Sequence, residues 1–262
     1  MPITLSPAQV REILARHQVW IASNGTAGER AKLAGANLNR AELQNAALQH
    51  ADMREAILSG AQLRGANLSG VNLQRARLLQ ANLRDAKLEG ADLSGAFLQN
   101  ATLTRANMKG AQVSPADLEL ADLSGANMED ANFEEAKLVG CNLRGARCKN
   151  ANFYRANLSE AILVKVDFEN ATLRTADIRK SDLTDANLKG ANLQSARLQE
   201  ADLVKVDLRQ ANLQRARMQK TDLFKAQFDN ADMRGADVRD AIGFSQKHLD
   251  MVRWDEKTKL RD

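Results

Sequence analysis

Ala81-Asn82-Leu83-Arg84-Asp85, Ala86-Lys87-Leu88-Glu89-Gly90 and Ala91-Asp92-Leu93-Ser94-Gly95 are three turns of one five-residue unit. Counted outward from this stretch, the unit runs without a break from Ala31 to Asp240. The third residue is apolar in all 42 pentads, and the first is Ala in 36 of them, the exceptions being Val71, Cys141, Val166, Ser181, Val206 and Thr221. The second residue is often Asn or Asp, and the fourth and fifth are mostly polar or Gly.

A period of five fits neither regular element. On a helix each repeat advances by about 500°, so the Leu row winds around the axis and leaves no single apolar face. On a flat strand an odd repeat sends successive Leu residues to opposite sides. The chain therefore has to turn once per pentad. If each turn is near a right angle, four pentads close a square coil of about 20 residues, with positions one and three pointing inward as strand alternation requires. Coils stacked at the strand spacing of about 4.8 Å would make about 10.5 coils and a rod roughly 50 Å long.

The triplets Ala66-Asn67-Leu68, Ala91-Asp92-Leu93 and Ala106-Asn107-Met108 resemble those of the pentapeptide-repeat family. The resemblance implies an all-β fold, a right-handed quadrilateral β-helix, over most of the chain. It implies little about chemistry, because the motif residues are the ones the coil itself requires.

Composition narrows the function classes. Aromatic residues are 4% of the chain, so the 44% apolar content reflects the repeat and not an assorted core. The net charge of +4 is the small difference between 37 basic and 33 acidic side chains, too balanced to predict a nucleic-acid partner. No run approaches the roughly 20 apolar residues of a membrane span, and the start lacks a basic segment followed by an apolar one, so a cytoplasmic location is expected. Cys141 and Cys148 both fall on inward positions and are expected to be buried, reduced and inert. His17, His50 and His248 are scattered, and no phosphate loop, paired-Cys motif or His-Glu signature occurs, so neither catalysis, a metal nor a cofactor is expected.

Sorting by coil gives columns. The column from Leu43 to Leu223 is Leu throughout, Phe133 sits next to Phe153, and Met108, Met128, Cys148 and Phe168 follow one another. Leu163-Val164-Lys165-Val166-Asp167 recurs as Leu203-Val204-Lys205-Val206-Asp207, two coils further on. Outward apolar residues are the departures that need a reason. Ile57, Leu79, Phe97, Leu120 and Val139 fall on five successive coils of one face and form a candidate interaction surface. Ile162, Val164, Val204 and Phe224 form a smaller patch on the next face that the C-terminal segment could cover. Between Lys109 and Lys137 there is no basic residue, while Asp117, Glu119, Asp122, Glu129, Asp130, Glu134 and Glu135 would girdle the rod with negative charge. Pro115 sits in the same coil at a corner, where its missing N–H is expected to cost least.

The ends divide off as residues 1–30, a helical N-terminal cap, and 243–262, a short helix and charged tail, flanking the repeats at 31–242. Ser6-Pro7-Ala8-Gln9 reads as a capping box opening a helix over 7–18, with Val10, Ile13 and Leu14 on one face and Trp20 as anchor. Ser245 opens a second short helix with Leu249, Val252 and Trp254 as its apolar residues, and 255–262 reads as loose. Together these features predict a non-catalytic scaffold of a bacterial protein that binds another, unidentified protein or pairs with itself. The family resemblance adds two further readings. One is a DNA mimic that protects DNA gyrase, against which stand the net positive charge and the absence of inserted loops. The other is a secreted effector.

Overall fold

The computed structural model describes residues 3–260. Its frame follows from where the N–H groups of a single pentad go. In the pentad of residues 81–85, the Leu83 and Asp85 N–H donate to Thr102 and Thr104 one coil on, at 2.7 and 3.0 Å, and the Asn82 N–H donates to Ala61 one coil back, at 2.9 Å. The Arg84 N–H donates to the side-chain Oδ1 of Asn82, at 3.2 Å. The Ala81 N–H closes a turn onto Leu78, at 3.0 Å. Every donor is thereby satisfied, which a buried wall demands. The frequent Asn or Asp at the second position thus has a specific role, since its side chain accepts from the fourth N–H, the one donor that the wall leaves over.

The bridges are parallel and join each residue to its counterpart four pentads on, from Lys32↔Asp52 to Asp222↔Ile242, so four pentads make one coil. We number the faces by the first coil: face 1 carries residues 31–35, face 2 carries 36–40, face 3 carries 41–45 and face 4 carries 46–50, each recurring once per coil. Positions one and three are buried along the coil, apart from Ala41 and Ala46 of the first coil, which are partly open. The interior is a stack of ladders: Phe133 lies flat on Phe153 with centroids 5.0 Å apart, and Phe168 meets Phe153 edge-on at 5.3 Å. Ser181 and Thr221, polar at the small inward position, return their hydroxyls to backbone carbonyls of Ile178 and Met218 at 2.8 Å.

The turn imposes its own demand. The fifth residue has φ near +60° in every pentad but one, whether Gly or not. Pro115 is the exception, because its ring fixes φ near −65°. The corner is therefore not the inexpensive place for a missing N–H that the sequence suggests. In nearly every pentad up to Lys220 the fifth N–H is part of the wall, as in Arg75 to Ser94 at 2.9 Å. At Pro115 that bond cannot form, and the bonds that Gly95 and Ala116 would make to Ser114 and Val113 are absent as well.

Both ends are more ordered than the sequence implies. The helix α1 spans Pro7–Ala22, four residues beyond the expected end, so Trp20 lies inside it. Its capping box is formed: the Gln9 N–H donates to Ser6 Oγ at 3.2 Å, and the Ser6 N–H donates to Gln9 Oε1 at 2.8 Å. Asn24 and Gly25, both at positive φ, then reverse the chain. Before the helix, strand β1 (Ile3–Thr4) pairs in parallel with β2 (Ala36–Asn37) on face 2, a pairing the sequence did not signal. At the other end α2 (Gln246–Leu249) is a single turn. The segment expected to be loose instead docks on the last coil: Arg253 pairs with Asp232 and Lys259 with Asp237. The Gly235 N–H donates to Asp255 Oδ1 at 2.9 Å, and Thr258 is buried. Arg261 and Asp262 lie outside the described residues.

His17 ties α1 to the coil. It is fully buried and stacked on Trp20 at 5.5 Å, and its Nδ1 accepts from the Ala31 N–H at 3.1 Å. Burial pushes its pKa below the ordinary 6.5, partly offset by the Gln49 carbonyl beside the ring. A depressed basic pKa means that the unfolded chain takes up the proton first, so the stability is complete above the ordinary value of 6.5 and is lost as pH falls below it. Trp20 fluorescence and exchange of the Ala31 amide, followed from pH 7.5 to 5, are expected to report loosening of α1 only on the acid side of about 6.5. Pro115→Asn restores a residue that accepts positive φ and can donate, and is expected to raise stability by about 1 kcal/mol, measured by thermal unfolding.

Candidate interaction surface

Side chains at positions two, four and five form the outer wall, and face 2 departs from the polar pattern. Leu79, Phe97 and Leu120 are 37%, 43% and 57% exposed, and Ile57 and Val139 are half-buried beside them. The wall fixes their order. Arg77 bridges Ile57 and Phe97, Phe97 bridges Asp117, and the Leu120 N–H donates to the Val139 carbonyl at 3.0 Å. The N-terminal helix does not cover them. Leu120 is the one aliphatic side chain at the left-handed fifth position, with φ of 59°. That conformation costs an L-residue roughly 1–2 kcal/mol, and here the cost brings no burial. Gly140 makes room for it: a Cβ there would stand 2.8 Å from Leu120 Cδ2.

The second patch lies on face 3 towards the C-terminus. Ile162 and Phe224 are exposed, Val164 is buried and Val204 is intermediate. The C-terminal segment does not cover Phe224, which stays 54% exposed, because residues 251–259 run along faces 1 and 2. Ile242, which sequence reasoning passed over, extends the same patch. Lys225 Nζ stands 5.1 Å from the Phe224 ring centroid, a cation–π contact at the surface.

The acidic girdle runs from Asp117 to Glu135, across two adjoining coils, but is not bare. Lys137 reaches Asp117 at 3.8 Å, Lys109 reaches both Glu129 and Asp130 at 3.7 Å, and Arg155 reaches Glu135 at 2.8 Å. Arg147 also pairs with Glu129. Asp122 is pushed up by burial, but hydrogen bonds from Ser124, Thr104 and Asn142 outweigh this and hold it below the usual carboxylate range. Glu134 accepts from Asn152 Nδ2 at 3.4 Å. Glu119 alone of the seven has no such side-chain partner among the described residues. The gap in basic residues along the sequence is filled from neighbouring coils, about one coil away in sequence.

Of the residues expected at the ends, Val10, Ile13 and Leu14 pack on the core, and Val252 does so at the other end. Leu249 is half-buried, and Trp254 remains 48% exposed. Phe244 and His248 cover the last inward ring, Phe228, with centroids 5.7 and 5.6 Å from it. The signal was present in the sequence, since Phe244 falls on the outward fourth position of a pentad that Gly243 interrupts. Among the described residues no group of His, Cys, Asp and Glu is arranged to hold a metal. No described helix is long and apolar enough to cross a membrane.

Pentapeptide repeats match the chain in eight copies, over residues 29–60, 61–100, 81–119, 116–147, 151–190, 173–210, 191–228 and 201–240. HetL is a pentapeptide repeat protein involved in heterocyst differentiation regulation, from the cyanobacterium Nostoc sp. strain PCC 7120. It is 31% identical over 80% of this chain and 87% of its own, with a TM-score of 0.58. QnrB1, a plasmid-mediated fluoroquinolone resistance protein, is 16% identical over 87% of this chain and 91% of its own, with a TM-score of 0.44. No curated protein sequence matches the chain.

Both thiols are inward and unpaired. Burial drives Cys141 up to about 12, and its Sγ lies 2.8 Å from the Leu118 carbonyl; burial likewise raises Cys148 far above its ordinary value. The thiolate is the reactive form. Neither cysteine is expected to react with an aromatic disulfide reagent at pH 8 while the coil is folded, and both are expected to react on denaturation, read by absorbance.

Proposed function

The chain belongs to the pentapeptide-repeat family, and on that basis we propose that it is a non-catalytic scaffold that binds another protein along face 2. The family's right-handed β-helix gives it a stiff wall on which side chains recur at steps of about 4.8 Å. In this reading the coil of about 10.5 turns spans residues 31–242, closed by segments 1–30 and 243–262, and the protein works in the bacterial cytoplasm, which cell fractionation checks.

The observation that carries the proposal is the run of exposed Leu79, Phe97 and Leu120 on consecutive coils, edged by half-buried Ile57 and Val139. An apolar stripe on a mostly polar wall has no use in the fold, and the strained backbone at Leu120 makes it costly to keep. HetL is involved in regulation, a part that contact with other macromolecules can play without chemistry. The acidic girdle would serve as the polar rim of such a contact. Its ion pairs, together with the net charge of +4, leave no extended negative surface of the kind a DNA mimic needs.

Ile57→Asp combined with Phe97→Asp places two charges on the stripe and alters no inward residue. The double variant is expected to keep its thermal midpoint to within the shift that about 0.5 kcal/mol produces, and to lose at least tenfold in recovery of protein partners by affinity purification and mass spectrometry. An unchanged partner list and an unchanged mass by light scattering would leave the stripe without a role.

A further inference from the structure

The first coil has an N-terminal edge whose pairing groups are only partly used. Within the wall, the second residue of each pentad donates its N–H one coil back and accepts on its C=O from that same coil, as Gln62 does with Ala41 at 2.9 Å and Leu43 at 2.8 Å. On face 2 of the first coil β1 supplies that neighbour, pairing Thr4 with Asn37. The chain then leaves the coil path at Leu5 and enters α1. On face 3 nothing takes its place: Glu42 bridges Gln62 alone, and the Glu42 N–H, Glu42 C=O and Gln44 C=O have no backbone partner among the described residues.

Beside this edge lies a groove of about 500 Å³ between α1 and the coil. Leu5, Val10 and Leu14 form one wall, and Leu38, Ala41 and Leu43 form the floor. Ala41 is partly open, whereas the same position is buried in the interior coils. Arg11 and Arg40 stand on the rim, exposed and without an ion-pair partner among the described residues.

We propose that this edge is a strand-addition site for an extended, acidic segment of a partner protein with an apolar residue at every second position. The backbone of the segment would pair with Glu42 and Gln44 as the missing coil would, its inward side chains would enter the groove, and its carboxylates would meet Arg11 and Arg40. The groups involved are one free donor and two free acceptors on the coil edge, a partly open apolar groove beside them and two cations without an ion-pair partner among the described residues. The groove lies at the first coil, and the face 2 stripe begins one coil further on, where Ile57 bridges Asn37.

The test uses the full chain and a fluorescein-labelled peptide, Asp-Ala-Asp-Leu-Glu-Asp, which carries the small and large apolar pair at the spacing of a pentad. Fluorescence polarisation is expected to show saturable binding to the wild type. Two variants should weaken it at least tenfold: Glu42→Pro, which removes the edge donor but no bond of the wall, and Arg11→Glu with Arg40→Glu, which reverses the rim charge. Phe97→Asp, three coils along face 2 from Asn37, should leave it unchanged, and thermal unfolding should be alike for all four proteins. Protection of the Glu42 amide from exchange on peptide addition would place the contact at the edge. Absence of saturable binding, or equal binding by Glu42→Pro, overturns the proposal. So does concentration-dependent end-to-end association that the same variants abolish while the peptide fails to compete, since the edge would then belong to a second copy of the chain.

Discussion

A wall that turns a corner every five residues needs one residue per corner with φ near +60°. Glycine accepts this freely and Asn and Asp readily, but many corners here carry Arg, Lys or Glu, each at a cost of roughly 1–2 kcal/mol. What offsets that cost is the hydrogen bonding around the corner: the fifth N–H joins the wall, the next N–H closes the turn, and where the second residue is Asn or Asp its side chain takes the fourth N–H. Remove one element and the neighbours fail together, as Pro115 shows by leaving Gly95 and Ala116 without their bonds. The narrow interior follows from the corners, because a coil this small holds one alanine and one large apolar residue per pentad and little else.

How much of this is legible without coordinates depends on how far apart the interacting groups lie in sequence. The period, the inward positions, the contact of Phe133 with Phe153 and the capping box at Ser6 are all set by short or strictly periodic spacings, and each can be read from the residues. The function of Asn and Asp in accepting the fourth N–H is a local matter, yet propensity names these residues only as turn formers and does not say which donor they serve. The neutralisation of the acidic girdle by Lys109, Lys137, Arg147 and Arg155 is invisible to a scan along the chain, because each partner stands a coil away. The docking of residues 251–259 and of β1 rests on irregular segments finding an open edge, and no periodicity announces that.

The candidate surfaces divide in the same way. The face 2 stripe was readable because five outward apolar residues break a pattern that is otherwise obeyed. The groove beside Glu42 was not, since it arises from where α1 leaves the coil path, and the chain between Thr4 and Pro7 carries no residue that states its direction. Exposure of Phe224 was likewise a question of route: the terminal segment could have crossed face 3 and instead follows faces 1 and 2.

The constant step between stacked positions makes residue number an angular coordinate. Loss or gain of one pentad would leave every inward residue inward and every corner a corner, while rotating all that follows by a quarter turn. A stripe assembled from five coils would then be split between two faces. Only changes of whole coils preserve both the fold and the alignment of its surfaces, and the recurrence of Leu163-Val164-Lys165-Val166-Asp167 as Leu203-Val204-Lys205-Val206-Asp207, two whole coils later, is a change of that kind. Length variation in such a chain is therefore nearly silent for folding and decisive for which residues share a face.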